Sequence, residues 1–214
     1  MVNKETLNQT ALDVLKEVGN IGAGNAATAL SKLVKKRLQM KVPSVQVVTF
    51  NEMMEMVGGP DESVAAIFLQ IEGDLKGNMF FVLPIEQASL FVRQLTGSVK
   101  FSFQEPPYSD IALSAFQEMG NIVAGSYLSA LSDLLQIQVV PTVPDVGIDM
   151  FGAIISYGLL EISKESDYAI VIDTEIIESY SNHQSESPIK GHFFLMPDTD
   201  SYRYILTKLG VATK

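Results

Sequence analysis

Residues 17–33, "EVGNIGAGNAATALSKL", and residues 118–134, "EMGNIVAGSYLSALSDL", are two copies of one segment. Ten of the seventeen aligned positions are identical, with no gap. The register holds on both sides, since Asp13 falls on Ser114 and Pro43 on Pro144. Further on, "LKGNMFFVLP" from Leu75 resembles "IKGHFFLMP" from Ile189, and each leads into a short amphipathic stretch ending near glycine. Such self-similarity is the mark of a duplicated structural unit. The chain therefore reads as one domain, 1–214, made of two repeats, about 1–98 and 108–214. "FSFQEPPYSD", residues 101–110, joins them as a linker or helix entry.

Each half predicts a long helix, a strand after the proline, a second helical stretch, two strands and a last helix. "VQVVTF", "VAAIFLQI", "NMFFVLP", "YAIVIDTEII" and "HFFLMP" are rich in the Val, Ile and Phe that suit strands. "GDLKG", residues 73–77, reads as a hairpin turn. The expected class is α+β: a pseudo-twofold duplicated domain with a mostly antiparallel sheet and two long helices on one face.

At ~100° per residue, positions i, i+4, i+7 and i+11 share one helical stripe. Asp13, Glu17, Asn20 and Gly24 lie on it, with Ser31 beyond. Leu7, Ala11, Leu15, Val18, Gly22, Ala26, Ala29 and Leu33 form the opposite, apolar face. The second copy has the same phase and turns Ser114, Glu118, Asn121 and Gly125 outward. Gly22 belongs to the buried face, where a small residue lets the twin helix come close. Gly24 leaves the neighbouring Glu–Asn pair open to a bulky partner. Solvent-facing positions drift after duplication because packing does not restrain them. Asn25 and Lys32 have become Ser126 and Asp133, yet the outward Glu and Asn are kept in both copies.

The rest of the chain narrows the chemistry. Hydrophobic residues make up 47%, enough for a packed core, and there is no cysteine for a disulfide, thiolate metal site or nucleophile. No apolar run reaches the ~18 residues of a membrane span, and the polar N-terminus does not resemble a signal peptide. These features suit a cytoplasmic protein. A net charge of −10 argues against nucleic acid. The one basic cluster, "KLVKKR", reads as a helix end with cations near the negative pole of the dipole. "GNIGAG" does not follow a strand, so it is no phosphate loop. His183 in a polar loop and His192 in a strand give no triad or metal site. Met53, Met54 and Met56 read as core filling. Asp13 in the first copy argues against Ser114 as a nucleophile.

A carboxylate and a carboxamide one turn apart remain. The amide can hold a water by donating and accepting hydrogen bonds, and the carboxylate can pair with a partner's cation. Against a phosphoryl group, such a water can be set for in-line attack, which is catalysis by positioning.

The doubled pattern Asp/Ser-x3-Glu-x2-Asn-x22-Pro (Asp13, Glu17, Asn20, Pro43; Ser114, Glu118, Asn121, Pro144) resembles the signature of the CheC/FliY/CheX phosphatases of bacterial chemotaxis. The resemblance spans essentially the whole chain. Two motifs with no following motor-switch domain resemble the CheC branch. The likeness implies hydrolysis of the aspartyl phosphate of the response regulator CheY. Glu17 and Glu118 would then pair with the regulator's active-site lysine, and Asn20 and Asn121 would orient the attacking water. Asp13, Gly24, Ser114 and Gly125 would serve docking, and the Mg²⁺ would come with CheY rather than from this chain. It also implies a second partner, the receptor deamidase CheD, which raises the activity. A non-catalytic adaptor for CheD and phosphorylated CheY, or a FliY-like docking module, fits the same residues.

Overall fold

The computed structural model describes residues 9–98, 100–162, 168–178 and 188–210. Helix α1 (Gln9–Val34) leads to β1 (Leu38–Lys41), β2 (Val45–Thr49), α2 (Phe50–Val57), β3 (Ser63–Gly73), β4 (Gly77–Pro84) and α3 (Ile85–Thr96). The second half repeats that order as α4 (Asp110–Leu135), β5 (Val139–Pro141), β6 (Asp145–Met150), α5 (Phe151–Ile162), β7 (Tyr168–Glu178), β8 (Ile189–Pro197) and α6 (Thr199–Lys208). The α+β class, the duplication and the β3–β4 hairpin agree with the sequence reading. At the hairpin, Gly73 has φ of 111°, a conformation that residues with a Cβ rarely adopt.

Two short strands, β1 and β5, precede the prolines and escaped the sequence reading. They and their neighbours produce the main topological feature. The sheet runs β1-β7-β8-β4-β3-β5, with β2 also on β7 and β6 also on β3. All the pairings are antiparallel. Thus β1 and β2 of the first half pair with β7 of the second, while β5 and β6 of the second pair with β3 of the first. The halves exchange strands, so each motif helix delivers its chain onto the other half's hairpin.

Helices α1 and α4 share one face of the sheet with α3 and α6 over the larger core. Helices α2 and α5 cover the other face, where Met53, Phe80, Val171 and Phe194 are buried. Met53 is core, and Met54 and Met56 pack at its margin. On α1 the buried residues include Ala11, Leu15, Val18, Gly22 and Ala26 of the expected stripe, while Ala29 is half-buried and Leu30, not expected there, is buried. A Cβ at Gly22 would lie 2.9 Å from Cα of Tyr127, so this glycine does set the approach of the twin helix.

Leu33 departs from its expected burial. It is 44% exposed, as is its counterpart Leu134, because the buried stripe runs on from Leu30 to Val34 and from Leu131 to Leu135, which turns Leu33 and Leu134 away from the core. Leu7 and His183 lie outside the described residues. The 101–110 segment is no loose linker. Phe103 is buried against Phe101, Tyr108 and Phe116, and its N–H donates to Ser89 Oγ at 2.8 Å. Ser109 then caps α4 by accepting from the Ala112 N–H. Among the described residues, no helix is long and apolar enough to cross a membrane.

Candidate functional site

The apolar faces of α1 and α4 are fixed against the sheet, so the opposite stripes must face solvent. Asp13, Glu17, Gly24, Ser114, Glu118 and Asn121 are exposed, while Asn20 and Gly125 are half-buried. A Cβ at Gly24 or Gly125 would meet nothing within 4 Å. The stripes are ridges. Hollows of about 620 and 590 Å³ lie elsewhere on the surface, and no stripe residue lines either. A ridge carrying Glu and Asn suits entry into another protein's cleft better than capture of a small molecule.

The two pairs are not alike. Glu118 and Asn121 have no hydrogen-bond or ion-pair partner among the described residues. Asn20 is tied at both ends of its carboxamide. Its Nδ2 donates to the Lys16 carbonyl at 3.1 Å, and its Oδ1 accepts from the Val42 N–H at 3.1 Å. Asn20 therefore departs from the freely outward position expected of it. The reason is the loop between β1 and β2, which folds back onto the helix one residue before Pro43. Val42 is 2% exposed, and a Cβ at Gly19 would lie 3.2 Å from its side chain. Gly19 thus makes room for the loop. In the second half Val143 takes the place of Val42 and is 81% exposed. There the loop is held by Gln117, whose Nε2 donates to the Pro144 carbonyl, and Asn121 stays free.

The first-half loop has a further anchor. Ser44 Oγ donates to Asp173 Oδ2, the Asp173 N–H donates to the Ser44 carbonyl at 3.0 Å, and His192 Nδ1 lies 2.7 Å from Asp173 Oδ1. Burial pushes the Asp173 carboxyl up. Hydrogen bonds from His192 and Ser44, with the attraction of His192, outweigh it and hold the group below the usual carboxylate range. His192 is therefore a paired strand residue. The basic cluster is equally structural: Lys32 sits in the last turn of α1, and Lys36 pairs with Glu178 at 3.0 Å.

Sequence reasoning did not find Val42, Ser44, Asp173, His192 or Gln117 as neighbours of the site. One signal pointed there. Each proline follows its Asn at the same spacing in both copies, marking a loop that returns to the helix. The second stripe also carries Ile111, 73% exposed, where the first copy has Thr10.

A relative from Bacillus subtilis (strain 168), CheY-P phosphatase CheC, is 44% identical over 96% of this chain and 97% of its own length. The chain belongs to the CheC-like family. The family's sequence model matches residues 11–47 and 111–148 of this CheC-like chain, the two motif helices with their following loops. The flagellar motor switch phosphatase FliY of Bacillus subtilis (strain 168) is 30% identical over 60% of the chain and 33% of its own length. The crystal structure of Thermotoga maritima FliY superposes with a TM-score of 0.70 at 22% identity, covering 94% of this chain and 98% of that one, which shows a common fold.

Proposed function

We propose that this chain hydrolyses the aspartyl phosphate of a CheY-type response regulator. The observation that carries the reading is the Glu118–Asn121 pair. It is exposed, unpartnered among the described residues, and flanked by the open space at Gly125. The full-length likeness to a CheY-P phosphatase supplies the substrate class.

The ridge of α4 enters the regulator's phosphorylated cleft. Glu118 pairs with the cation beside the aspartyl phosphate and fixes the docking angle. The Asn121 carboxamide holds a water in line with the phosphorus. The water oxygen forms a new bond to phosphorus as the bond from phosphorus to the aspartyl oxygen breaks. The aspartate leaves as a carboxylate, and the water's protons depart with inorganic phosphate. Glu17 and Asn20 are assigned the same roles in the first half. Asp13 and Ser114 contribute edge contacts, and Gly24 and Gly125 leave room for the partner. The regulator brings its own Mg²⁺. A CheD-type deamidase is the second partner and raises the rate.

The test is the lifetime of the phosphoryl group on a CheY regulator charged with acetyl phosphate. Catalytic amounts of this chain should shorten it, more so with CheD present. Binding of the regulator with an unchanged lifetime would overturn the enzyme and favour an adaptor.

A further inference from the structure

We infer that the two sites are inequivalent because the first is latched: the β1–β2 loop holds the Asn20 carboxamide, and Ser44 and Asp173 hold the loop. This rests on the phosphatase reading above. The Val42 N–H takes one lone pair of Asn20 Oδ1 and the Lys16 carbonyl takes one Nδ2 hydrogen, so the carboxamide is held against the loop and the helix instead of extending toward a partner's cleft. To act, it must break the Val42 bond and turn away from the Lys16 carbonyl.

The loop does not give way on its own. Val42 is buried, and Ser44 is bonded to Asp173 through both its hydroxyl and its carbonyl. Asp173 belongs to β7 in the other half, so the strand exchange makes the second half the anchor of the first half's loop.

The second half has the same backbone plan but anchors its loop at other residues: the Thr142 N–H donates to the Gln70 carbonyl at 2.9 Å, Thr142 Oγ1 accepts from the Gln70 N–H at 3.0 Å, and Gln117 holds Pro144, so none of these ties reaches Asn121. Asp145 occupies the place of Ser44, and it pairs across the sheet with Phe68, which sits where β7 has Asp173. The cross-strand neighbour of Asp173 is His192, whereas that of Phe68 is Phe80, with ring centroids 4.9 Å apart. An Asp–His pair with a serine hydroxyl in one half is thus replaced by two phenyl rings in tilted contact in the other. The second loop projects Val143 into solvent and leaves Asn121 free. Ser44 and Asp173 are positioning residues. They touch no substrate and act through the loop on Asn20.

The experiment measures phosphate release from acetyl-phosphate-charged CheY. Asn121→Ala should remove most of the activity and Asn20→Ala little. In the Asn121→Ala background, Ser44→Ala or Asp173→Asn should raise the residual rate about fivefold, the population shift that one ordinary hydrogen bond commands. Ser44→Thr should not raise it. Hydrogen exchange at the Val42 amide should speed up in the same variants. A merely structural role predicts loss of activity on loosening the loop, never gain. Equal losses from Asn20→Ala and Asn121→Ala would overturn the latch and leave the phosphatase standing. So would faster Val42 exchange with no gain in rate. A double Asn variant that releases phosphate at the unaltered rate would overturn the phosphatase reading, and the latch with it.

Discussion

Gly125→Ala should make the protein more stable and less active. Gly125 sits in the interior of a 26-residue helix, where glycine is less favourable than alanine by roughly 1 kcal/mol. Nothing within 4 Å would obstruct the added methyl, so the gain is realised in full. For a chain of this size, 1 kcal/mol raises Tm by about 2–4 °C. The same methyl stands one turn from Asn121, on the stripe proposed to enter the regulator. A methyl forced into a packed contact costs about 1–3 kcal/mol, roughly a five- to 150-fold loss in kcat/KM. Gly22→Ala is the counterpart. It gains the same helix propensity, but its methyl would lie 2.9 Å from Cα of Tyr127, and backbone cannot yield as a side-chain tip can. It should lower Tm while leaving the docking stripe untouched. The assays are calorimetric melting and phosphate release on the same preparations. If Gly125→Ala and Gly125→Leu both keep full activity, glycine is not there for access, and the docking geometry is wrong.

Two further outcomes are expected. Glu118→Gln should raise KM by about ten- to a hundredfold with a smaller change in kcat, as loss of a charge-assisted docking bond requires; steady-state kinetics against charged CheY give the split, and an unchanged KM would contradict the docking role. Burial lifts the Tyr127 phenol to about 12, only partly opposed by its hydrogen bond with Thr174, and burial likewise lifts Tyr202 to about 12. A raised folded-state value means stability that is complete below the ordinary tyrosine pKa of about 10 and is lost as pH rises through 12. Urea unfolding at pH 8, 10 and 11 should show the decline, and Tyr127→Phe should flatten it.

Much of this was legible in the sequence because duplication acts as an internal control. The helix phase, the close approach at Gly22, the outward Glu17 and the outward Glu118–Asn121 pair follow from a 3.6-residue period seen twice. What stayed hidden depends on partners distant in the chain. The strand exchange is invisible because a strand's pattern gives its buried face and not its neighbour. The tie on Asn20 needs Val42, and the anchor on Ser44 needs Asp173, more than a hundred residues away. Strands as short as Leu38–Lys41 and Val139–Pro141 carry too few residues for a period to register. Leu33 and Leu134 fit an apolar stripe by sequence, but Val34 and Leu135 beside them are apolar too, and the sequence alone does not say which of two adjacent leucines or valines takes the buried place.

The most direct measurement is a single-turnover one: charged CheY saturated with the Asn20→Ala/Asn121→Ala protein, with complex formation followed by fluorescence and phosphate release timed in the same mixture. The account predicts a complex that forms through Glu17 and Glu118 yet loses phosphate no faster than free CheY. Decay of that complex at the rate given by the unaltered protein would contradict the assignment of the attacking water to the asparagines.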